Sequence, residues 1–133
     1  MNAPTRAGLL ASAMLGLGTP LWAQTTSTEG ASPAVTAALV ARGDSIYHGA
    51  GNCYACHGTK GVGLVGPSLT DAEWIHSKGT YEEIVAQINQ GVAKEQSKSG
   101  IPMPAKGGST ISDDDVKAVA AYVQSLGQEQ PGS

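Results

Sequence analysis

The chain has no phenylalanine, and only two tryptophans and four tyrosines occur among its 133 residues. A chain of this length is expected to form one domain. Small domains bury a limited share of their surface and depend on bulky side chains to fill a core. With so few large aromatic residues, the interior would need apolar bulk from a source other than the side chains.

Basic residues are also scarce. Eight Lys and Arg stand against eleven Asp and Glu, which gives a formal net charge of −3 at pH 7. Domains that bind nucleic acid generally carry a basic patch or stripe on their surface. We therefore expect no nucleic-acid partner for this chain.

The longest apolar run is residues 7–18, which is too short to span a bilayer comfortably. Arg6 precedes the run and a cleavage-like region follows it, a pattern typical of a secretory signal peptide. The sequence predicts a leader over residues 1–23, with Leu21 as an imperfect fit to the cleavage site, and a periplasmic protein. Loss of Arg6 with the leader would take the formal charge from −3 to −4. The alternative is an uncleaved leader that anchors the protein to the membrane.

The only two cysteines lie in the pentapeptide Cys53-Tyr54-Ala55-Cys56-His57. Two cysteines separated by two residues and followed by histidine have the spacing of a c-type haem attachment site. Each thiol can add to one vinyl group of the porphyrin, and the histidine can bind the iron. We predict one haem c attached through Cys53 and Cys56, with His57 as an axial ligand.

Three other uses of this pentapeptide stay open. A structural zinc site needs four ligands, and the only other histidines are His48 and His76. A thioredoxin-like redox motif belongs beside a βαβ pattern, whereas the flanks here are a glycine-rich loop and a helix. A disulfide across so short a loop would close little chain entropy.

The segment after the pentapeptide, residues 58–69, has too many glycines to be a helix and is expected to be a loop. A ligating imidazole usually donates its other ring N–H to a carbonyl or a carboxylate, and the carbonyl of Pro67 is our candidate acceptor for His57. Trp74 lies in a predicted short helix over residues 71–76. It is expected to pack against the haem or to contact its propionates.

A second candidate ligand is Met103, the only methionine outside the predicted leader. Pro102 and Pro104 flank it, and prolines fix φ and remove backbone donors, which predicts a stiff non-helical loop. A thioether and an imidazole on opposite sides of the iron are the ligand pair of electron-transfer haems and raise the reduction potential. The alternative is a methionine that fills a gap in the core. His76 and His48 are less well placed as the sixth ligand.

Helix start and stop signals predict three further helices. They are a first helix from a Ser32 cap and Pro33 through about Tyr47, a second opened by a Thr80/Glu83 capping box and stopped by Gly91, and a last one capped by Ser112 that ends at Gly127. Gly43 lies inside the first helix, where glycine is less stable than alanine by about 1 kcal/mol, so another element is expected to approach closely there. Tyr122 of the last helix is the candidate neighbour. Residues 24–31 are expected to form a flexible tail, and residues 128–133 are expected to fray.

These features together resemble the class I monohaem cytochromes c. The matching parts are the first helix with Gly43 and Tyr47, residues 53–57, residues 66–69, residues 74–75, residues 102–104 and the last helix with Tyr122. The resemblance is particularly close to cytochrome c domains of bacterial respiratory oxidases. It implies an all-α cytochrome c fold over residues 32–127, in which three to four helices and their loops surround one covalently bound haem and the first and last helices cross. One departure is the polar loop of residues 94–100, which is longer than in the oxidase-type domains.

With both axial positions filled, the iron would have no open site for a substrate. The expected function is therefore one-electron exchange between Fe(III) and Fe(II), as a soluble periplasmic carrier rather than an enzyme. Its partners would be redox proteins, a donor and an acceptor, with transient docking at membrane respiratory complexes. The alternatives are a haem c subunit of a larger oxidoreductase, or a peroxidase-like or gas-binding haem protein if Met103 is not bound.

Overall fold

The computed structural model describes residues 35–128, which form four α-helices and two 3₁₀ turns. The elements are α1 (Ala37–His48), α2 (Tyr54–His57), α3 (Tyr81–Gln90), a turn at Lys94–Gln96, a turn at Ala105–Gly108, and α4 (Asp113–Gln128). Within this part of the chain there is one isolated β-bridge and no strand, which confirms the all-α prediction. None of the helices described is both long and apolar enough to cross a bilayer. The predicted leader, the tail and residues 129–133 lie outside the described residues.

The start of α1 differs from the prediction. Thr36 is the N-cap, and its hydroxyl oxygen accepts a hydrogen bond from the N–H of Leu39 at 3.2 Å. Val35 is not helical and is 39% exposed, although the predicted helix includes it. The predicted Ser32 cap lies outside the described residues. Threonine is itself a favoured N-cap residue.

The predicted capping box of α3 is confirmed. The N–H of Glu83 donates to the Thr80 hydroxyl at 3.4 Å, and the N–H of Thr80 donates to the Glu83 carboxylate at 3.3 Å. The helix stops at Gly91, as predicted, with φ 72° at that residue. Its buried face carries Tyr81, Ile84 and Ile88.

A similar exchange of hydrogen bonds opens α4. The N–H of Asp115 donates to the Ser112 hydroxyl, and the N–H of Ser112 donates to the Asp115 carboxylate, each at 3.1 Å. Hydrogen bonds from Ser112, and then from Arg42, hold the pKa of Asp115 below its ordinary value. The helix continues through Gln128, one residue beyond the end that was predicted at Gly127.

Helices α1 and α4 cross at Gly43, as the sequence predicted. A Cβ atom added at Gly43 would overlap the carbonyl oxygen of Ala118 and would lie 2.8 Å from Cβ of Tyr122. Below the crossing the Tyr47 ring meets the Tyr122 ring edge-on, with centroids 5.2 Å apart. Only a residue without a side chain permits the two backbones to approach this closely.

Replacing Gly43 with alanine is expected to destabilise the fold by about 1–3 kcal/mol, because the overpacking at Ala118 outweighs the better helix propensity of alanine. Urea unfolding followed by far-UV circular dichroism measures this change. The matched control is Ala41→Gly at an exposed position of the same helix, where propensity alone predicts a loss of about 1 kcal/mol. A Gly43→Ala protein more stable than wild type would contradict the close crossing.

The predicted short helix over residues 71–76 is wrong. These residues form bends and irregular backbone, and the Asp71 carboxylate accepts a hydrogen bond from the N–H of Glu73 at 3.1 Å in a turn that does not continue into a helix. Trp74 is nevertheless half-buried and packs against the core formed by α1, α3 and α4.

Candidate haem site

His57 is the last residue of the single-turn helix α2, and it is 8% exposed. Its Nδ1 lies 2.9 Å from the carbonyl oxygen of Pro67. A carbonyl can only accept, so this contact places the proton on Nδ1 and leaves the lone pair on Nε2. Within residues 35–128 no hydrogen bond is made to Nε2. The structure therefore confirms the predicted Pro67 acceptor and presents a ring nitrogen suited to bind iron.

The loop after His57 lies against the imidazole ring because Gly66 has no side chain. A Cβ atom at Gly66 would come within 2.8 Å of Cε1 and 2.9 Å of Nδ1 of His57. The N–H of Gly66 also donates to the carbonyl of Cys56 at 2.8 Å, and the N–H of Gly63 donates to the carbonyl of His57 at 2.8 Å. The glycine-rich loop thus holds His57 in two ways: it hydrogen-bonds the backbone of Cys56 and His57, and Gly66 packs against the imidazole ring.

The two cysteines are free thiols, with Cys53 half-buried and Cys56 exposed. Burial raises the pKa of the Cys53 thiol above its ordinary value. Its Sγ lies 3.5 Å from the carbonyl of Gly51, which accepts its weak hydrogen bond. The thiolate is the reactive form of cysteine, so this shift lowers the reactivity of Cys53 toward oxidants and metals near neutral pH.

All six candidate cofactor-binding residues line one cavity that is open to solvent. They are Cys53, Cys56, His57, Pro67, Trp74 and Met103. The remaining wall is largely apolar, with side chains from the glycine-rich loop, α3 and α4 such as Leu69, Ile84, Ile88, Val119 and Val123. Among the histidines, His76 also lines this cavity, while His48 does not. The cavity supplies the place for the apolar bulk that the side chains lack.

Met103 is held by an antiparallel bridge to Val92, directly after α3. The N–H of Met103 donates to the carbonyl of Val92 at 2.9 Å, and the N–H of Val92 donates to the carbonyl of Met103 at 2.8 Å. Pro102 and Pro104 have no N–H, so Met103 is the one residue of the three that can make this bond. The bridge fixes the position of the half-buried methionine along the cavity wall.

Sequence reasoning did not anticipate that the polar loop reaches the cavity. Ser97, Lys98 and Ser99 line it, following the 3₁₀ turn at Lys94–Gln96. Lys98 Nζ lies 3.4 Å from a carboxylate oxygen of Glu73, and both side chains are largely exposed. The extra length of this loop was the available signal, since a longer loop can fold back over a site that a shorter one leaves open.

The residues fit a c-type haem. An apolar cavity contains an imidazole with a free Nε2, a thioether and two unpaired thiols, which are the groups that attach and ligate such a haem. Within residues 35–128, no group of three or more His, Cys, Asp or Glu side chains is placed to hold a metal ion.

The family model described as cytochrome c oxidase, cbb3-type, subunit III matches residues 38–123. The chain belongs to this family. It is a c-type cytochrome domain, so the resemblance seen in the sequence and the cytochrome c fold are both confirmed. The number of haems and their covalent attachment remain predictions.

Three curated relatives are similar over most of this chain. The cbb3-type cytochrome c oxidase subunit CcoP of Rubrivivax gelatinosus is 34% identical over 108 residues, which cover 80% of this chain and 32% of the relative. The CcoP subunit of Cereibacter sphaeroides is 36% identical over 68% of this chain and 29% of its own. The FixP subunit of Azorhizobium caulinodans is 34% identical over 70% of this chain and 32% of its own. The chain thus spans about a third of these relatives. No solved structure matches it.

Proposed function

We propose that this chain carries single electrons by means of one haem c, attached through Cys53 and Cys56 and ligated by His57 and Met103. When bound, the haem supplies an Fe(III)/Fe(II) couple. The observation that carries the proposal is that His57, with its Nε2 lone pair free, and Met103 line the same apolar cavity. It is supported by membership of a c-type cytochrome family.

In this proposal the protein fixes both ligands before any electron arrives. The Pro67 carbonyl keeps the proton on Nδ1 of His57 and sets the plane of the ring. The bridge between Met103 and Val92 sets the position of the thioether. Apolar walls from α3 and α4 would keep water from the parts of the haem that they cover, so the surroundings would change little on electron exchange. With both axial positions taken, the domain itself would not be an enzyme.

A second candidate is a haem c subunit of a larger oxidoreductase. The relatives are named as subunits of cbb3-type oxidases, which supports work within or beside such a complex. A peroxidase-like or gas-binding protein would require an iron without Met103, and the spectra described below distinguish that case.

We also propose that the protein acts in the periplasm. The support is the leader-like pattern of residues 1–23 together with a pentapeptide whose thiols would otherwise be oxidised there. Retention of the leader as an anchor is the competing possibility. The carrier would exchange electrons with a protein donor and a protein acceptor.

One preparation tests the proposal. The protein is expressed with a haem-attachment system, isolated from the periplasmic fraction, weighed by mass spectrometry and examined by absorption in both oxidation states. We expect the mass of one haem added to a chain cut near residue 23, low-spin spectra and the weak far-red band of Fe(III) bound to methionine sulfur. A high-spin iron that binds carbon monoxide readily would contradict ligation by Met103.

A further inference from the structure

His48, the last residue of α1, has a backbone carbonyl at each ring nitrogen. Nδ1 lies 2.9 Å from the carbonyl oxygen of Asp44 and 2.9 Å from its carboxylate, while Nε2 lies 2.6 Å from the carbonyl oxygen of Thr59. Carbonyl oxygens only accept, so both ring nitrogens must donate. A neutral imidazole carries one N–H, and only the imidazolium satisfies both contacts.

Thr59 belongs to the turn that follows the haem-attachment pentapeptide, and α1 holds this turn at two successive carbonyls. The hydroxyl of Tyr47 donates to the carbonyl of Gly58 at 2.8 Å, and Nε2 of His48 donates to that of Thr59. Burial raises the pKa of Tyr47, so its hydroxyl stays a neutral donor throughout the physiological range. Of the two bonds, only that of His48 can change with pH near neutrality.

The turn is connected to the backbone that orients His57. The N–H of Gly61 donates to the carbonyl of Gly58 at 3.0 Å, and the N–H of Leu69 donates to the carbonyl of Gly61 at 2.7 Å. Leu69 is two residues beyond Pro67, whose carbonyl accepts from the His57 ring. Fastening the turn therefore limits the movement of the loop that holds the ring.

We propose that the His48 imidazolium is a pH-dependent clamp that fastens the turn after the haem-attachment motif to α1. On deprotonation Nε2 gives its proton to solvent and the hydrogen bond to Thr59 is lost, because Nδ1 keeps its proton between the carbonyl and the carboxylate of Asp44. The clamp itself rests on these contacts. Only its effect on the position of an iron ligand rests on the proposed function.

The surroundings of His48 favour its cation. The Asp44 carboxylate faces it from α1. The Tyr54 ring of α2 stacks on it at 6.0 Å between centroids, Tyr47 of α1 meets it edge-on at 5.0 Å, and Tyr122 of α4 does so at 6.1 Å. The hydrogen bond to the Asp44 carbonyl, and then that to Thr59, raise the pKa of His48 above its ordinary value.

The direction of the pH effect follows from linkage. A histidine whose pKa is raised by folding stabilises the fold fully below its unfolded pKa of about 6.5, and this stabilisation is lost as pH rises through the folded pKa. The unfolding equilibrium constant of the wild type should therefore increase with pH by about tenfold for each unit that separates the two pKa values.

Two independent measurements must then agree. In the haem-loaded, reduced protein, the ring signals of His48 are titrated by NMR in the folded state and again in urea, with exposed His76 recorded in the same spectra. Separately, urea unfolding is measured from pH 5 to pH 8.5 for the wild type and for His48→Gln. The glutamine side chain can still donate a hydrogen bond through its amide, but it does not ionise. We expect the pKa of His48 to be higher in the folded protein than in urea. The ratio of the two proteins' unfolding equilibrium constants should then change with pH by about tenfold for each unit of this difference.

A second readout follows the loop itself. Protection of the Gly63 and Gly66 amides from hydrogen exchange should fall in the wild type as pH passes the His48 midpoint, and should not follow that midpoint in His48→Gln. If His48→Gln does not fold, the wild-type titration and Asp44→Asn, which should lower the midpoint, decide. A folded midpoint at or below the unfolded one, or equal pH dependence in both proteins, would overturn the clamp. If the titration holds but the iron is high-spin, the clamp stands and the proposed ligation fails.

Discussion

Replacing both Cys53 and Cys56 with alanine is expected to abolish covalent haem attachment completely. These are the only cysteines in the sequence, so no other thiol can add to a vinyl group. Haem should then be removed by acidified acetone and should separate from the chain on a denaturing gel, whereas the wild-type haem should stay with the chain. Either single variant keeps one thiol and should retain haem through one bond.

The matched control is Ala55→Ser, an exposed position within the same pentapeptide that changes no thiol. It should attach haem as the wild type does. Mass spectrometry of the denatured chain gives the result directly, since bound haem adds its mass. Haem that stays bound to the denatured double variant would exclude both thiols as the attachment points.

Local chemistry is the part of the fold that the sequence predicted well. The Thr80/Glu83 capping box and the stop at Gly91 depend on residues within a few positions of each other, so they are visible in the sequence. The start of α1 was misplaced because Ser32 and Thr36 are both good N-caps, and propensity does not choose between them. The predicted helix near Trp74 was wrong because an aspartate that accepts from the N–H two residues on is found both in helix caps and in isolated turns, and the local sequence does not distinguish them.

The site was predictable where its chemistry leaves few choices. Spacing identified the pentapeptide, and the need of a ligating imidazole for an acceptor pointed to Pro67, which the structure confirms as the partner of His57. The bridge between Val92 and Met103 joins residues eleven apart, and neither pattern nor propensity predicts such a pair. The two carbonyls at His48 could not be foreseen either, because they depend on how α1 packs against a loop.

These long-range contacts have a common consequence for the site. Each joins a segment that carries or supports a candidate ligand to the end of a helix: Met103 to Val92 just after α3, and the turn after His57 to His48 at the end of α1. Loops without secondary structure of their own are the mobile part of most domains. Tying each to a helix end keeps both candidate ligands in place although neither lies in a long helix.

Replacing Met103 with leucine is expected to produce the largest change in the electronic properties of the site. Leucine has a similar volume and leaves the backbone bridge to Val92 unchanged, so the fold should be retained. It has no sulfur, so the far-red band should disappear and the iron should become accessible to carbon monoxide. The reduction potential should fall by on the order of 100 mV, well within the range of about 0.8 V over which axial ligands set haem potentials.

Absorption spectra and a redox titration of the purified variant measure these effects, and urea unfolding shows that the fold is intact. The control is Val62→Leu, a change at a side chain that is 61% exposed and does not line the cavity, and it should keep the wild-type spectrum and potential. A low-spin spectrum and a potential that are the same in Met103→Leu as in the wild type would contradict thioether ligation by Met103. His76, the other candidate that lines the cavity, would then be the next residue to replace, because an imidazole in the sixth position also gives low-spin iron.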